Sequence, residues 1–177
     1  MFAKKTAAGD QTLEVVPYVD LRRYLGTWYE IATIPQRFQK GCVGVTAEYS
    51  LRKNGDIEVV NTCIQDTLDG EVRKVRGKAR VVDKATGAKL KVSFFWPFWG
   101  SYWIIGVDAD YQWAIVGHPN RNYLWILSRS PQMDDALYDK LLKLIADEGY
   151  DLARIKKTLQ PGGDLPARAV PPRHLSR

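Results

Sequence analysis

The sequence predicts an all-β protein: an eight-stranded antiparallel up-and-down barrel with one C-terminal α-helix packed outside it. Three observations carry this expectation. Runs of β-forming residues recur about every ten to fifteen residues. Short links containing Gly, Asn or Asp join them, with no helical segment between. Only one stretch, near the C-terminus, has apolar residues at helical spacing.

The first run, Thr27 to Pro35, is rich in β-branched and aromatic residues and closes on proline. Val43 to Leu51 follows, and Asn54-Gly55 then marks a hairpin, because this pair adopts the positive φ angles that a tight turn needs. Ile57 to Gln65 is the return strand. Val72 to Val82, Lys89 to Trp96, Ser101 to Val107, Tyr111 to Gly117 and Tyr123 to Arg129 complete eight. After Ser130-Pro131, residues 135 to 148 carry Leu137, Leu141, Leu144 and Ile145 on one face, and Gly149 ends the helix. Residues 17–160 therefore read as one domain. Residues 1–16 and 161–177 read as flexible tails, the second holding four prolines.

The net charge of +6 comes from basic residues scattered along the chain, with no stripe of the kind that binds nucleic acid. No run of about 18 apolar residues is present to span a membrane, and the basic pair Lys4-Lys5 is followed by no signal-peptide core. Two histidines, His118 and His174, and two cysteines, Cys42 and Cys63, make no metal set. No phosphate loop or nucleophile motif appears either, so the chain reads as a binding protein without a cofactor rather than as an enzyme.

Alternation along the strands gives the expected ligand contacts: Glu30, Ala32, Tyr49, Val59, Asn61, Phe94, Trp96, Trp103, Ile105, Val116 and Trp125. Bulky rings mixed with Ala47, Gly77, Ala79 and Ala114 leave room for an elongated apolar guest, although Trp96, Trp103 and Trp125 would instead fill the barrel if all pointed inward. The segment Phe94 to Trp103 is aromatic where a hairpin tip is normally polar. Phe98 and Trp99 there read as a lip for lipids, a membrane-touching tip or half of a weak dimer contact, with Lys89 and Lys91 offered to a head group at the rim. About the Asn54-Gly55 turn, Cys42 and Cys63 fall on adjacent strands three or four residues out of register. A bulge near Gly41 and Gly44 would permit a disulfide, the favoured reading over free thiols or a reactive nucleophile.

Three segments resemble the lipocalin family, in particular the group of bacterial outer-membrane lipocalins, apolipoprotein D and plant temperature-induced lipocalins. They are Asp20 to Ala32 with Gly26-Thr27-Trp28, Val107-Asp108-Ala109-Asp110-Tyr111, and Tyr123 to Pro131 with Arg129. The resemblance spans residues 14 to 160. It implies a structural role at the barrel base for Gly26, Trp28, Asp108 and Arg129, with the guanidinium stacked on the indole. It also implies a carrier or store of fatty acids or lysophospholipids in the cell envelope, periplasmic or at the outer membrane, that maintains membranes under stress. The aromatic lining favours a pigment, haem or steroid-like ligand as the alternative.

Overall fold

The computed structural model describes residues 12–163. Eight strands, β1 (Gly26–Thr33), β2 (Cys42–Leu51), β3 (Ile57–Gln65), β4 (Val72–Val81), β5 (Lys89–Phe95), β6 (Phe98–Val107), β7 (Trp113–Gly117) and β8 (Leu124–Ser128), pair antiparallel with their neighbours, and β1 closes the ring on β2. A short helix α1 (Leu21–Tyr24) precedes the barrel, helix α2 (Asp135–Asp147) follows it, and a two-residue strand β9 (Lys156–Lys157) adds to the outer edge of β1. The barrel and its single main helix match the sequence expectation. The signals for α1 and β9 are too short to read.

Alternation sends one set of side chains inward and the other outward, but here both sets are apolar over half the wall. The inner cluster holds Trp28, Tyr49, Val59, Ala79, Ile104, Ala114, Val116 and Leu127. The outer cluster holds Ile31, Ile34, Ile115, Leu124 and Ile126, covered by Leu141 and Ile145 of α2. Leu144, expected on the packing face, instead stands 42% exposed at its edge, and Tyr138 takes its place. Leu13 is buried in the outer cluster, and Val16 donates its N–H to the Ile104 carbonyl at 3.1 Å. Residues 12–16 therefore belong to the body, a correction to the expected N-terminal tail. The remainder of both expected tails, 1–11 and 164–177, lies outside the described residues.

Pairing between β1 and β2 covers only Gly26 to Tyr29. Beyond it the strands part, and the segment after β9 fills the gap. Thr158 N–H donates to Ile31 O, Gly44 N–H to Leu159 O, and the Gln160 amide spans Glu30 O and Val45 O at 2.8 Å each. This C-terminal strap satisfies backbone groups that a splayed seam would otherwise leave unpaired. Beside it, Cys42 and Cys63 form a disulfide with Cα atoms 5.3 Å apart. The register between β2 and β3 shifts between Val43 and Thr46, where Gly44 has φ +56°, which brings the two cysteines together. Closing a loop of separation 21 contributes about 3 kcal/mol through the unfolded chain.

Candidate ligand cavity of a lipocalin barrel

The sequence builds the closed end from three separated segments. Gly26 adopts φ +97°, a conformation that favours glycine, and a Cβ there would crowd Arg129 Nη1 at 3.3 Å. The Arg129 guanidinium sits 3.7 Å from the centroid of the fully buried Trp28 ring. It donates to the carbonyls of Arg23, Leu25 and Thr27 at 2.8 to 2.9 Å. Asp108 accepts from the N–H groups of Asp110 and Gln112 and so shapes the turn that holds Tyr111, whose hydroxyl accepts from Asp20 N–H at 2.7 Å.

Above this base lies a cavity of about 580 Å³. Its mouth is at the opposite end, between the β1–β2 connection (Phe38, Gln39), the β5–β6 tip (Phe95, Phe98, Trp99) and the β7–β8 turn (His118, Asn120, Tyr123). Of the residues expected to contact a ligand, the structure places Glu30, Tyr49, Val59, Asn61, Phe94 and Trp125 in its wall, together with Ala47 and Val92. Val116 points inward but packs in the inner cluster rather than lining the cavity.

Four of the expected contacts lie elsewhere. The register shift between Glu30 and Ala32 turns Ala32 outward, into the cluster under α2. On β6, Tyr102 and Ile104 face in, so Trp103 and Ile105 face out against the same helix side. Trp96 stands at the β5–β6 tip, 80% exposed. Trp96 and Trp103 therefore do not fill the barrel. Lys89 and Lys91 are likewise on the outer wall, because Leu90 and Val92 take the inward positions; Lys89 lies over the Trp103 ring at 4.5 Å.

The sequence reading missed Tyr102, whose hydroxyl lies 2.7 Å from that of Tyr24 and 2.9 Å from that of Tyr49. Burial raises the pKa of all three phenols, that of Tyr49 to about 12. It also missed the ring ladder above them: Tyr123 stacks near-parallel to Trp125, and His118 lies 5.2 Å from Tyr123.

Among the described residues Glu30 is the one carboxylate in the wall, and no Lys or Arg accompanies it there. It is 4% exposed and accepts from Thr158 Oγ1 at 2.6 Å and Gln39 Nε2 at 3.1 Å. Burial raises its pKa, outweighing these two donors. A raised carboxyl binds its proton more tightly when folded, so its contribution is favourable at acid pH and fades as pH climbs from the ordinary carboxylate range through the raised value. Glu30→Gln is expected to gain stability over the parent at about pH 8 relative to about pH 5. Urea midpoints at the two values check this, and an equal difference at both would contradict it.

The family model described as a lipocalin-like domain matches residues 19–160. The chain belongs to the lipocalin family. The Escherichia coli outer membrane lipoprotein Blc is 44% identical over 148 residues, covering 84% of this chain and 83% of that protein. Temperature-induced lipocalin-1 of Arabidopsis thaliana is 41% identical over 163 residues, covering 87% and 85%. Among solved structures, apocrustacyanin C2 superposes with a TM-score of 0.63 at 24% identity over 81% of each chain, a likeness of fold. Lipocalins are binding proteins for small apolar molecules, and the cavity is where this barrel has room for one. Among the described residues there is no cluster able to hold a metal ion and no helix long and apolar enough to cross a membrane.

Proposed function

We propose that this protein binds lipids with a single acyl chain, fatty acids or lysophospholipids, in the barrel cavity and carries or stores them without transforming them. The observation that carries this reading is the cavity: about 580 Å³, mostly apolar, closed at one end and open at the other. That volume falls within the usual range for small-molecule sites. The name of the bacterial relative supports a place in the cell envelope, in the periplasm or at the outer membrane, and the disulfide suits an oxidising compartment. The name of the plant relative, a temperature-induced lipocalin, supports a role under stress, for which we propose the maintenance of membranes. Titration with a fluorescent fatty acid tests the reading. Saturable one-to-one binding, displaced by lysophospholipid, is expected, and no saturable binding of either lipid would refute it.

The near-parallel Tyr123 and Trp125 rings, with His118 beside them, favour a second reading as a pigment, haem or steroid-like ligand site. A visible absorption band on protein isolated from its host would decide for it.

Peripheral contact with a bilayer extends the first reading. Phe95, Trp96 and Phe98 are 73 to 80% exposed at the rim beside the cavity-bordering Trp99, and Phe38 joins them from the β1–β2 connection. Lys74, Arg76, Lys78 and Arg80 follow one another on the outer face of β4, a stripe that alternation assembles from charges scattered in sequence, although Glu58 and Asp56 pair with Arg76 and Arg80. Aromatic rings beside cations suit an anionic interface. Trp96→Ser with Phe98→Ser is expected to weaken binding to phosphatidylglycerol vesicles about tenfold. Unchanged flotation of the double variant with such vesicles would remove the membrane reading. The protein acts as a monomer, or as a weak dimer through the same tip.

A further inference from the structure

The floor of the cavity carries a hydrogen-bond donor that the protein itself does not use. Tyr24, Tyr102 and Tyr49 form a chain of three hydroxyls joined by two hydrogen bonds, 2.7 and 2.9 Å long. Three hydroxyl protons serve two bonds, so in every arrangement of the chain one O–H is left over. Among the described residues no other group bonds to these three oxygens. Tyr49 and Tyr102 face the cavity, whereas Tyr24 lies beneath them against Trp28. Two of the three arrangements leave the spare proton on Tyr49 or Tyr102, where it is available to whatever reaches the floor; the third leaves it on Tyr24, and an acceptor at the floor would favour the first two.

A plain hydrocarbon end would bury that donor unpaired, which is unfavourable. A carboxylate there would lose its hydration with no Lys or Arg in the cavity wall to replace it, and with Glu30 above it. A neutral oxygen satisfies both conditions. We propose that the tyrosine triad is a specificity site for a neutral oxygen acceptor, a hydroxyl or carbonyl, at the leading end of an acyl chain, so that the cavity prefers ω-oxygenated lipids over methyl-terminated ones. This rests on the reading that an acyl chain enters the barrel tail first.

The test is competition against a fluorescent fatty acid by palmitate, ω-hydroxypalmitate, the ω-aldehyde and the α,ω-dicarboxylate of the same length, at neutral pH. The hydroxyl and aldehyde forms are expected to bind about tenfold tighter than palmitate, the gain of one buried hydrogen bond, and the dicarboxylate no tighter than palmitate. The hydroxyl and aldehyde arms distinguish the two sources of the oxygen. In the double variant Tyr49→Phe, Tyr102→Phe the preference is expected to fall to about one. Equal affinity of all four for the parent protein overturns the proposal, and so does a preference that survives in the double variant. The comparison in the parent protein stands even if the double variant fails to fold. If none of the four competes, the lipid reading itself fails.

Discussion

Arg129→Met is expected to destabilise the protein by about 2 to 3 kcal/mol, through the lost stacking on Trp28 and the lost donor to the part-buried carbonyls. The guanidinium satisfies the carbonyls of Arg23, Leu25 and Thr27, with longer contacts to Tyr24 and Tyr111, and caps the Trp28 ring. Methionine keeps much of the bulk but leaves the part-buried carbonyls of Tyr24, Leu25 and Tyr111 without this donor, whereas water can replace it at the exposed carbonyls of Arg23 and Thr27. Arg129→Lys keeps the charge, but an ammonium cannot reproduce the planar fork over the indole, so it recovers only a minor part. Urea unfolding measures both variants, and a loss under about 1 kcal/mol for methionine would contradict this account of the base. Folded variant is still expected to bind ligand, because Arg129 lies below the floor, outside the cavity wall.

Val92→Trp is expected to lower lipid affinity about a hundredfold or more, some 3 kcal/mol, with little loss of stability. Val92 is in the wall, and its cross-strand neighbours are Ala79 and Gly100, so the indole has only the cavity to occupy. The matching control is Trp103→Ala. Trp103 was expected inside from alternation but packs outside the barrel, so its loss should leave affinity within about twofold. A variant order opposite to this, with Trp103→Ala weakening binding and Val92→Trp sparing it, would place the ligand somewhere other than the cavity.

That pair also shows where the sequence was legible and where it was not. The eight strands and the helix could be read because turn residues such as Asn54-Gly55 punctuate them and because one helical stripe stands apart. The base could be read through Gly26, Trp28 and Arg129 because their resemblance to the family is specific. Facing was legible on β3, where Glu58 and Asn61 break the apolar pattern, and illegible on β6, where Tyr102, Trp103, Ile104 and Ile105 are all large and largely apolar. Helix α2 and Leu13 bury the outer face of that strand, so both faces demand apolar residues and alternation loses its meaning. Ala32 was misplaced for a different reason, a register shift that follows Glu30 and leaves no mark in composition. The strap from Thr158 to Gln160 and the tyrosine triad depend on contacts more than 50 residues apart in sequence, such as Tyr49 with Tyr102 at a separation of 53, which strand patterns do not encode.

If one lipid occupies the barrel interior, native mass spectrometry of the protein isolated from its host will detect it. A species heavier than the bare chain by one acyl lipid is expected, released on unfolding and absent from Val92→Trp. A bare chain that also takes up no fatty acid or lysophospholipid when these are supplied would contradict it.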